Sequence, residues 1–530
     1  MTPATDVATP LQTGGPAMVA FVVLLLGLAL SGRALWPGRR LALALAAVGV
    51  LALVVRLGWL PALTRHSFDG HEADYWDLFR GERSPGRGGT VLYPAMQWGW
   101  WLLGRVLPAE PRLPVVLMGL VGAASTATLG AAVARLSVPR AGVAAALVVA
   151  LHPVHAAWST SAYNVILPWA FGALALLATA SLVRPPAPLR PRHAGALGLV
   201  LGSALALVLA TRLEAAAWAG PCGLLLLATR GAGTSSWRER LPALPGLLLG
   251  LVLAALAAWP LLFPGEVPGA GERALAFQVN RDLLLPHAPF DTAPAQALLV
   301  MGAGLALWRW PLPTLALSAL TIGNHLLLAT FDDFSDRHAL TGLAGVAWAL
   351  GAGALAWGPA SLTGGAAGAV GGPSGGARRM GAALAVAGLL VTASGLPQMR
   401  TLFYAEDAVF LATLQAPPWQ ELPVYTLDRV PTAVAPPGQC GWVAEDPRVA
   451  RDPPISHFNL LDPVEADRLR GPDGCLRWCA DIQDWRWSSR GVRDRAQRLH
   501  HLYELRPVAV VRDEDSGYAC GVWQVGRRRR

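Results

Sequence analysis

The sequence predicts an all-α polytopic membrane protein with about twelve transmembrane helices and a small α/β or α+β domain at its C-terminal end. Of the 530 residues, 53% are hydrophobic and only 15% are charged, which excludes an ordinary soluble globule. Apolar runs near the length that crosses a bilayer recur as far as residue 396. Beyond Pro397 long apolar runs stop, while prolines and charges of both signs become frequent.

The predicted spans follow from these apolar runs, each close to the length that a membrane-spanning helix needs. They fall at roughly 17–32, 41–60, 113–134, 141–157, 163–183, 194–211, 215–229, 241–263, 295–308, 311–330, 339–357 and 380–396. Segment 91–108 holds several tryptophans and an interrupting Arg105. We interpret it as a helix along the membrane interface, because a further span there would invert the alternation of the later arginine clusters.

The basic residues predict the orientation, and all of them apart from histidine are arginines. They cluster in alternate connections, at Arg33, Arg39 and Arg40, Arg135 and Arg140, Arg184, Arg190 and Arg192, Arg230, Arg238 and Arg240, Arg309, and Arg378 and Arg379. The positive-inside rule places these connections in the cytoplasm. The connections 61–112, 152–163, 212–214, 264–294 and 331–338, and the chain after Pro397, then face outward. The dominance of Ala, Gly, Leu, Pro and Arg, with no Lys, suggests a GC-rich bacterial genome, so the outer side is the periplasm of a bacterial inner membrane.

This topology divides the chain into three parts. Residues 1–40 form an extra N-terminal transmembrane helix and a cytoplasmic loop. Residues 41–397 form the main transmembrane domain with a first outer loop at 61–112, and residues 398–530 form a periplasmic soluble domain of ordinary domain size. In that domain Val424 to Leu427 and Val508 to Val511 are typical of buried strands, whereas Glu465 to Leu469 and Arg493 to Tyr503 favour helices.

Four of the five cysteines, Cys440, Cys475, Cys479 and Cys520, lie in the C-terminal domain, and Cys222 lies in an apolar run. An even number of thiols in an outward-facing domain predicts two disulfides, in any of three pairings. A zinc site is the alternative, but the single Cys-x-x-x-Cys spacing has no second pair to complete it.

The stretch from His66 to Tyr75, HSFDGHEADY, places several ionisable side chains directly after the run 41–60. Charge beside hydrocarbon is costly, and a membrane protein that keeps it at one interface usually uses it on a substrate. An ordinary solvated loop is the alternative. A divalent ion held by His71 and Glu72 is a further alternative, but no second histidine lies at the spacing of a metal site, so no metal or other cofactor is expected.

The residues His71-Glu72-Ala73-Asp74-Tyr75 resemble the Asp-Glu, Ala-x-Tyr motif in the first outer loop of the GT-C superfamily of lipid-linked-sugar glycosyltransferases. The similar branch contains the protein O-mannosyltransferases and aminoarabinose transferases. Leu92-Tyr93-Pro94 resembles the start of that family's juxtamembrane helix, and Arg112-Leu113-Pro114 resembles the opening of its next span. The resemblance covers roughly residues 41–400, and the C-terminal domain resembles no family.

Three later outer segments continue the resemblance: 151–163 with its His-Pro-Val-His sequence, 211–214, and 336–338. The family's chemistry implies a carboxylate that accepts the acceptor's proton and cations that stabilise the departing phosphate. Asp69 or Glu72 is the expected base, because His71 stands where the family has its first acid; otherwise catalysis has been lost. Further substrate contacts are expected from His71, Asp74, Tyr75, His152, His155, Tyr163, Glu214 and His338.

Arg212 and Arg337 are the expected phosphate ligands, because a guanidinium binds two phosphate oxygens at once. Each has an alternative as a structural ion pair. Arg212 has Glu214 close by in sequence, and the carboxylates near Arg337 are Asp332, Asp333 and Asp336.

The resemblance implies an inner-membrane glycosyltransferase that moves a hexose or pentose, with inversion, from an outer-leaflet polyprenyl-phosphate donor to a periplasmic protein, lipid or glycan. Its expected partners are the lipid-linked sugar donor, membrane lipids and the acceptor. Nucleic acid is not expected despite the net charge of +9, because many of the arginines lie in short loops. The alternatives are a non-catalytic scaffold or sensor that presents a periplasmic binding domain, and a lipid or solute transporter, which the position of most charges at helix ends disfavours.

Overall fold

A computed structural model describes most of the chain up to residue 396 and five strands after it. The described ranges are 8–58, 70–82, 84–85, 94–110, 112–160, 165–230, 234–262, 293–328, 340–353, 355, 375–396, 424–426, 441–444, 476–481, 503–512 and 519–528. Contacts divide the chain into a helical unit and a second unit that holds the strands.

The described chain contains sixteen α-helices. They are α1 (Ala8–Ser31), α2 (Arg39–Leu57), α3 (Gly70–Arg80), α4 (Pro94–Val106), α5 (Arg112–Leu136), α6 (Pro139–Leu151), α7 (Pro153–Trp158), α8 (Ile166–Val183), α9 (Pro191–Thr211), α10 (Ala219–Ala228), α11 (Trp237–Arg240), α12 (Leu244–Leu262), α13 (Ala293–Arg309), α14 (Pro311–Leu328), α15 (Leu343–Trp348) and α16 (Gly375–Ala393). Single 3₁₀ turns occupy Gly32–Ala34, Leu213–Trp218, Leu241–Ala243 and Leu340–Gly342, and a π-helical turn occupies Ala349–Gly353.

Every apolar run of the sequence contains a helix, so the prediction of a mainly helical membrane protein is confirmed in these terms. Five helical segments are long and apolar enough to cross a membrane: Arg39–Leu57, Leu113–Leu136, Ile166–Val183, Pro191–Thr211 and Trp237–Leu256. Shorter apolar helical segments lie at Gly15–Ser31, Pro139–Leu151, Ala216–Ala228, Leu340–Gly353 and Gly381–Ala393. The count of about twelve spans therefore stays a prediction.

Two runs differ in detail from their predicted form. The run 141–157 is divided, because α6 ends at Leu151 and α7 begins at Pro153. Proline has no N–H to continue the helix and restricts the residue before it, and His152 is accordingly extended (φ −73°, ψ 118°). The run 215–229 begins as a 3₁₀ turn at Leu213–Trp218 and becomes α-helical only at Ala219.

Helices α9 and α12 cross through two pairs of glycines at a spacing of four residues. A Cβ atom at Gly250 would lie 2.1 Å from the carbonyl carbon of Gly202, and one at Gly246 would lie 2.4 Å from the nitrogen of Leu199. A Cβ at Gly198 would lie 2.2 Å from the oxygen of Ala243. The two backbones are in direct contact, which is the packing that small-residue motifs give to membrane helices.

We expect that Gly250→Leu will destabilise the helical unit by about 1–3 kcal/mol, because α12 must move away from α9 to admit the side chain. Thermal unfolding of the purified protein in detergent measures this change. Gly304→Leu is the matched control, because a Cβ at Gly304 in α13 meets no atom within 4 Å. Equal unfolding temperatures for the two variants would contradict the close crossing.

At one end of the helical unit, which we call the basic end, arginines and a serine form hydrogen bonds that connect neighbouring helices. Arg135 Nη2 donates to the oxygen of Trp36 at 2.9 Å, and Arg184 Nη1 donates to the oxygen of Leu136 at 2.5 Å. Ser235 N donates to the oxygen of Val183 at 3.0 Å. The two guanidinium groups and the backbone nitrogen of Ser235 thus bind carbonyl groups near the C-terminal ends of helices.

The second unit contains a mixed five-stranded sheet with the order β1-β2-β3-β5-β4. Its strands are β1 (Val424–Thr426), β2 (Gly441–Ala444), β3 (Leu476–Asp481), β4 (Tyr503–Arg512) and β5 (Ala519–Arg528). Strands β1, β2 and β3 are parallel, whereas β5 is antiparallel to both β3 and β4. Strands β1 and β4 contain most of the two strands that the sequence predicts.

Other predictions for the C-terminal domain lie wholly or partly outside the described residues. The predicted helix at 465–469 lies there, as does the predicted helix at 493–503 except for Tyr503, which begins β4. The domain limits and the α/β or α+β class therefore stay predictions.

The sheet register bears on the predicted disulfides. Cys479 lies opposite Val522, and Cys520 lies opposite Asp481, so the two cysteines are diagonal neighbours. Such positions are about 7–8 Å apart, beyond the roughly 4–7 Å between the Cα atoms of a disulfide. Cys440 and Cys475 lie outside the described residues. The two disulfides stay a prediction.

Candidate functional site

The first outer loop contains helix α3, which carries part of the acidic motif. His71, Glu72 and Asp74 lie in its first turns, but their side chains are outside the described part of the chain, as is the whole of Asp69. Tyr75 is described and only 2% exposed. The structure therefore places the motif's backbone on a helix and buries its tyrosine, while the roles of the acids stay predictions.

Helices α3 and α4 pack against each other within this loop. The rings of Phe79 and Trp100 meet edge to face with centroids 6.0 Å apart. Gly104 permits the contact, since a Cβ there would coincide with the backbone of Phe79. At 13 residues, α4 is about 20 Å long and too short to cross the hydrocarbon core. Its length supports the predicted interfacial helix over a further span.

The acids at the far end of α3 belong to the surface. Arg80 Nη2 binds Asp77 at 3.1 Å and Glu82 at 2.5 Å, and all three side chains are at least 36% exposed. The guanidinium of Arg80 also lies 5.5 Å from the ring centre of Trp76. Exposed pairs of this kind contribute little to stability, and carboxylates so engaged are poor candidates for a catalytic base.

A buried polar cluster lies where α2 ends, and we call it the Arg56 cluster: Arg56, His155 and Ser159. Arg56 is 0% exposed, and its Nε donates to Ser159 Oγ at 2.6 Å. Its Nη2 binds His155 Nδ1 at 2.6 Å, and its Nη1 donates to the oxygens of Ala52 at 2.6 Å and Ala150 at 3.5 Å. Within the described chain all of these acceptors are neutral.

The packing of helix α5 makes room for the cluster. A Cβ at Gly122 would lie 2.4 Å from Ser159 Cβ and 3.2 Å from Arg56 Nε, so a larger residue would displace the guanidinium. A buried cation is costly unless it is hydrogen-bonded and opposed by negative charge. Because the described partners supply hydrogen bonds only, the cluster is prepared for an anion or an acidic side chain.

Arg56 also fixes the protonation of His155. The Arg56 guanidinium lies 2.6 Å from Nδ1, which excludes a proton on that nitrogen and leaves the imidazole neutral. A guanidinium can only donate, so Nδ1 must accept and the ring proton must be on Nε2. This Nε2–H is buried and has no hydrogen-bond partner among the described residues.

Two tryptophans extend the cluster into a row of hydrogen-bond donors. His155 meets Trp169 edge to face at 5.2 Å, and Trp169 meets Trp218 in the same way at 5.5 Å. Both indole N–H groups are buried without a hydrogen-bond acceptor in the described chain. A buried donor without an acceptor costs about 1–3 kcal/mol. Each of these N–H groups would therefore be stabilised by an oxygen acceptor from outside the described residues.

The other predicted site residues divide into two sets. His152 and Arg212 are described and buried, 7% and 9% exposed, at the ends of α6 and α9. Glu214 lies in a 3₁₀ turn with its side chain outside the described part of the chain, and Tyr163, Arg337 and His338 lie wholly outside it. The structure brings His155 together with Arg56, and the sequence analysis did not single out that arginine.

The sequence did carry a signal for Arg56. It is the single charged residue of the apolar run 41–60, and an ionisable residue within a span is by default a candidate functional residue. The topology prediction used only the arginines in connections between apolar runs, and it overlooked Arg56, which lies inside a run.

Comparison with known proteins gives no match to a protein-family model and none to a curated protein. Solved structures are similar over most of the chain. ArnT from Cupriavidus metallidurans in the apo state is 15% identical with a TM-score of 0.43, over 90% of this chain and 97% of that one. The same protein bound to undecaprenyl phosphate has a TM-score of 0.42 at 15% identity, over 92% and 98%.

The archaeal oligosaccharyltransferase AglB from Archaeoglobus fulgidus, in complex with an inhibitory peptide and a dolichol-phosphate, is 12% identical with a TM-score of 0.44, over 91% of this chain and 74% of that one. These neighbours are glycosyltransferases of the GT-C superfamily, which the sequence motifs also resemble. At identities of 12–15% and TM-scores below 0.5, the similarity assigns no role to any residue of this chain.

Proposed function

We propose that this protein is an inner-membrane glycosyltransferase that moves a sugar from an outer-leaflet polyprenyl-phosphate donor to a periplasmic acceptor. The Arg56 cluster is the observation that carries the proposal. In the part of the chain that the structure describes, a buried guanidinium has only neutral partners and lies beside a row of donors without acceptors. It lies at the end of a helix long enough to span the membrane, which leads into the acidic loop 61–112. Such an arrangement suits a phosphate-bearing substrate at the membrane boundary.

The proposed reaction needs one base and several cations. Asp69 or Glu72 accepts the proton of the acceptor, whose freed oxygen attacks the anomeric carbon. The bond from that carbon to the phosphate breaks, and the polyprenyl phosphate leaves with the bonding electrons. Arg212 and Arg337 stabilise the leaving phosphate, while His71, Asp74, Tyr75, His152, His155, Tyr163, Glu214 and His338 line the substrate site.

The experiment that tests this function is mass analysis of lipid-linked sugars and envelope glycans, from cells with and without the gene. We expect one polyprenyl-phosphate sugar to accumulate in the deletion strain and one glycan modification to disappear. Restoration by the wild-type gene shows that the change belongs to this protein. Identical lipid and glycan profiles in the two strains would refute the proposed function.

A second candidate function is a non-catalytic scaffold or sensor that presents a periplasmic binding domain. It is favoured by one observation, the histidine at position 71 where the resembling family has an acid. The glycan analysis separates the two functions, because a scaffold would leave the lipid-linked sugar pool unchanged.

The proposed reaction depends on topology, which gives a prediction of its own. A reporter fused after Pro397, or at the C-terminal end, is expected to report the periplasm, and one inserted near Gly371 the cytoplasm. The reason is the alternation of arginine clusters along the chain. Paired fluorescent and phosphatase fusions measure it. A cytoplasmic C-terminal end would overturn the predicted topology together with the catalytic assignment.

A further inference from the structure

A cavity of about 630 Å³ lies at the basic end, where α10 ends and α11 begins. Its lining contains Thr229, Arg230, Ser235, Trp237 and Arg240. Ser235 connects this segment to the C-terminal end of α8 through the oxygen of Val183. The cavity therefore shares the end of the helical unit at which Arg135 and Arg184 bind helix carbonyls.

The cavity is remote from the Arg56 cluster. Arg135 binds the chain just before α2 begins, at Trp36, whereas Arg56 lies in the last turn of α2. The intervening helix has 19 residues and is about 28 Å long. The two polar sites lie toward opposite ends of the bundle, so the cavity is separate from the proposed site of sugar transfer.

Positive charge is fixed in the cavity wall. Arg240 is 6% exposed, and its Nη2 donates to the oxygens of Thr229 at 3.0 Å and Ser235 at 2.6 Å. Its Nε donates to Ser235 Oγ at 2.9 Å, and its Nη1 donates to the oxygen of Leu226 at 2.6 Å. These acceptors are neutral, so the guanidinium is held in place while its charge stays available to a ligand.

The remaining charges leave the lining net positive. Arg230 lies at the rim and is exposed. Glu239 is the one carboxylate of the lining, and its Oε2 accepts from the backbone nitrogen of Ser236 at 2.6 Å in a helix cap. Thr229 Oγ1 is buried without a hydrogen-bond partner among the described residues. Two arginines and a free hydroxyl suit an anionic group with several oxygens.

An apolar cavity of about 70 Å³ adjoins the polar one and shares Trp237 and Arg240 with it. Its other lining residues are aliphatic, namely Leu182, Leu201, Leu226, Leu241, Ala243, Leu244 and Leu247. Trp237 is 55% exposed and Leu227, which lines the polar cavity, is 67% exposed, as is usual for side chains that meet lipid at a membrane interface. A polar, positively charged chamber beside an apolar one matches a phospholipid headgroup beside its acyl chain.

We propose that this cavity binds the headgroup of an anionic membrane phospholipid, with the start of an acyl chain in the adjoining apolar cavity. Arg240 and Arg230 contact the phosphate, and Thr229 Oγ1 hydrogen-bonds a headgroup oxygen. Basic pockets between transmembrane helices are recognised sites for acidic lipids. The ligand is a lipid of the bilayer at the basic end, distinct from the sugar donor at the opposite end.

The test is native mass spectrometry of the purified full chain, titrated with phosphatidylglycerol or with phosphatidylcholine of the same acyl chains. Wild type is expected to retain one phosphatidylglycerol in preference to phosphatidylcholine. Arg230→Gln is expected to weaken that binding by about fivefold, and Thr229→Val to weaken it in the same direction. Arg238→Gln is the matched control, because Arg238 is an exposed arginine of the same segment that does not line the cavity.

Thermal unfolding with and without each lipid checks that the variants are folded and gives a second measure of binding. Equal losses in Arg230→Gln and Arg238→Gln would show diffuse surface charge and overturn the proposal. Equal retention of the two lipids would also overturn it. Displacement of phosphatidylglycerol by millimolar inorganic phosphate would assign the cavity to a free phosphate compound. None of these outcomes depends on sugar transfer, so the result stands apart from the proposed function.

Discussion

Replacement of Glu72 by Gln, or of Asp69 by Asn, is expected to lower the turnover of sugar transfer by on the order of a hundredfold or more. Each change keeps the size and hydrogen-bonding capacity of the side chain while removing the carboxylate that would accept the proton. The measurement is steady-state transfer from a purified lipid-linked donor, with the protein level followed in parallel. The variant with the larger loss identifies the base.

The matched control is Asp77→Asn, in the same helix α3. Asp77 pairs with Arg80 at the surface, so its loss is expected to leave turnover unchanged. If both acid variants and the control retain full activity while folded, the loop is not the active site. If all three lose activity alike, the effect belongs to the stability of the loop.

The second large effect is expected at His155, where two amide substitutions separate its two nitrogens. The amide of Gln reaches the position of Nε2, and the amide of Asn reaches that of Nδ1. If Nε2–H donates to the phosphate or the sugar, His155→Asn should lower kcat/KM for the lipid-linked donor by roughly 10- to 100-fold, the loss of a hydrogen bond to a charged group. His155→Gln should retain most of the activity.

The opposite result, a higher activity in His155→Asn than in His155→Gln, has a different meaning. An Asn oxygen can still accept from Arg56 and keep the cluster intact, so a purely structural His155 would tolerate Asn better than Gln. Thermal unfolding of both variants accompanies the kinetics. Retention of activity by Asn and its loss in Gln would contradict a substrate contact and leave His155 as a partner of Arg56 alone.

Most of the helical architecture could be predicted from the sequence, because it follows from local hydrophobicity. The run 194–211 corresponds to Pro191–Thr211 and the run 163–183 to Ile166–Val183. The division of the run 141–157 was also readable, at Pro153. The α9–α12 contact has a sequence signal too, in glycines four residues apart, but the pairing of those two helices is a tertiary fact that no local pattern contains.

The candidate site was less predictable, because it is formed by residues that are distant in sequence and meet only through tertiary packing. His155 was expected at an outer helix end, yet its partner Arg56 is 99 positions away in sequence. The tautomer of His155 depends on that partner, as does its position beside Trp169. Sequence alone names residue types that suit a phosphate; packing decides which of them are buried together and which donors remain unpaired.

The glycine crossing of α9 and α12 has a mechanical consequence. Where most helix pairs are separated by a layer of side chains that can change rotamer and slide, these two backbones touch directly. A shear between them would drive backbone atoms into one another. The pair should therefore move as one rigid body. A separation of helices that admits a long lipid chain must then occur between the helices around this pair.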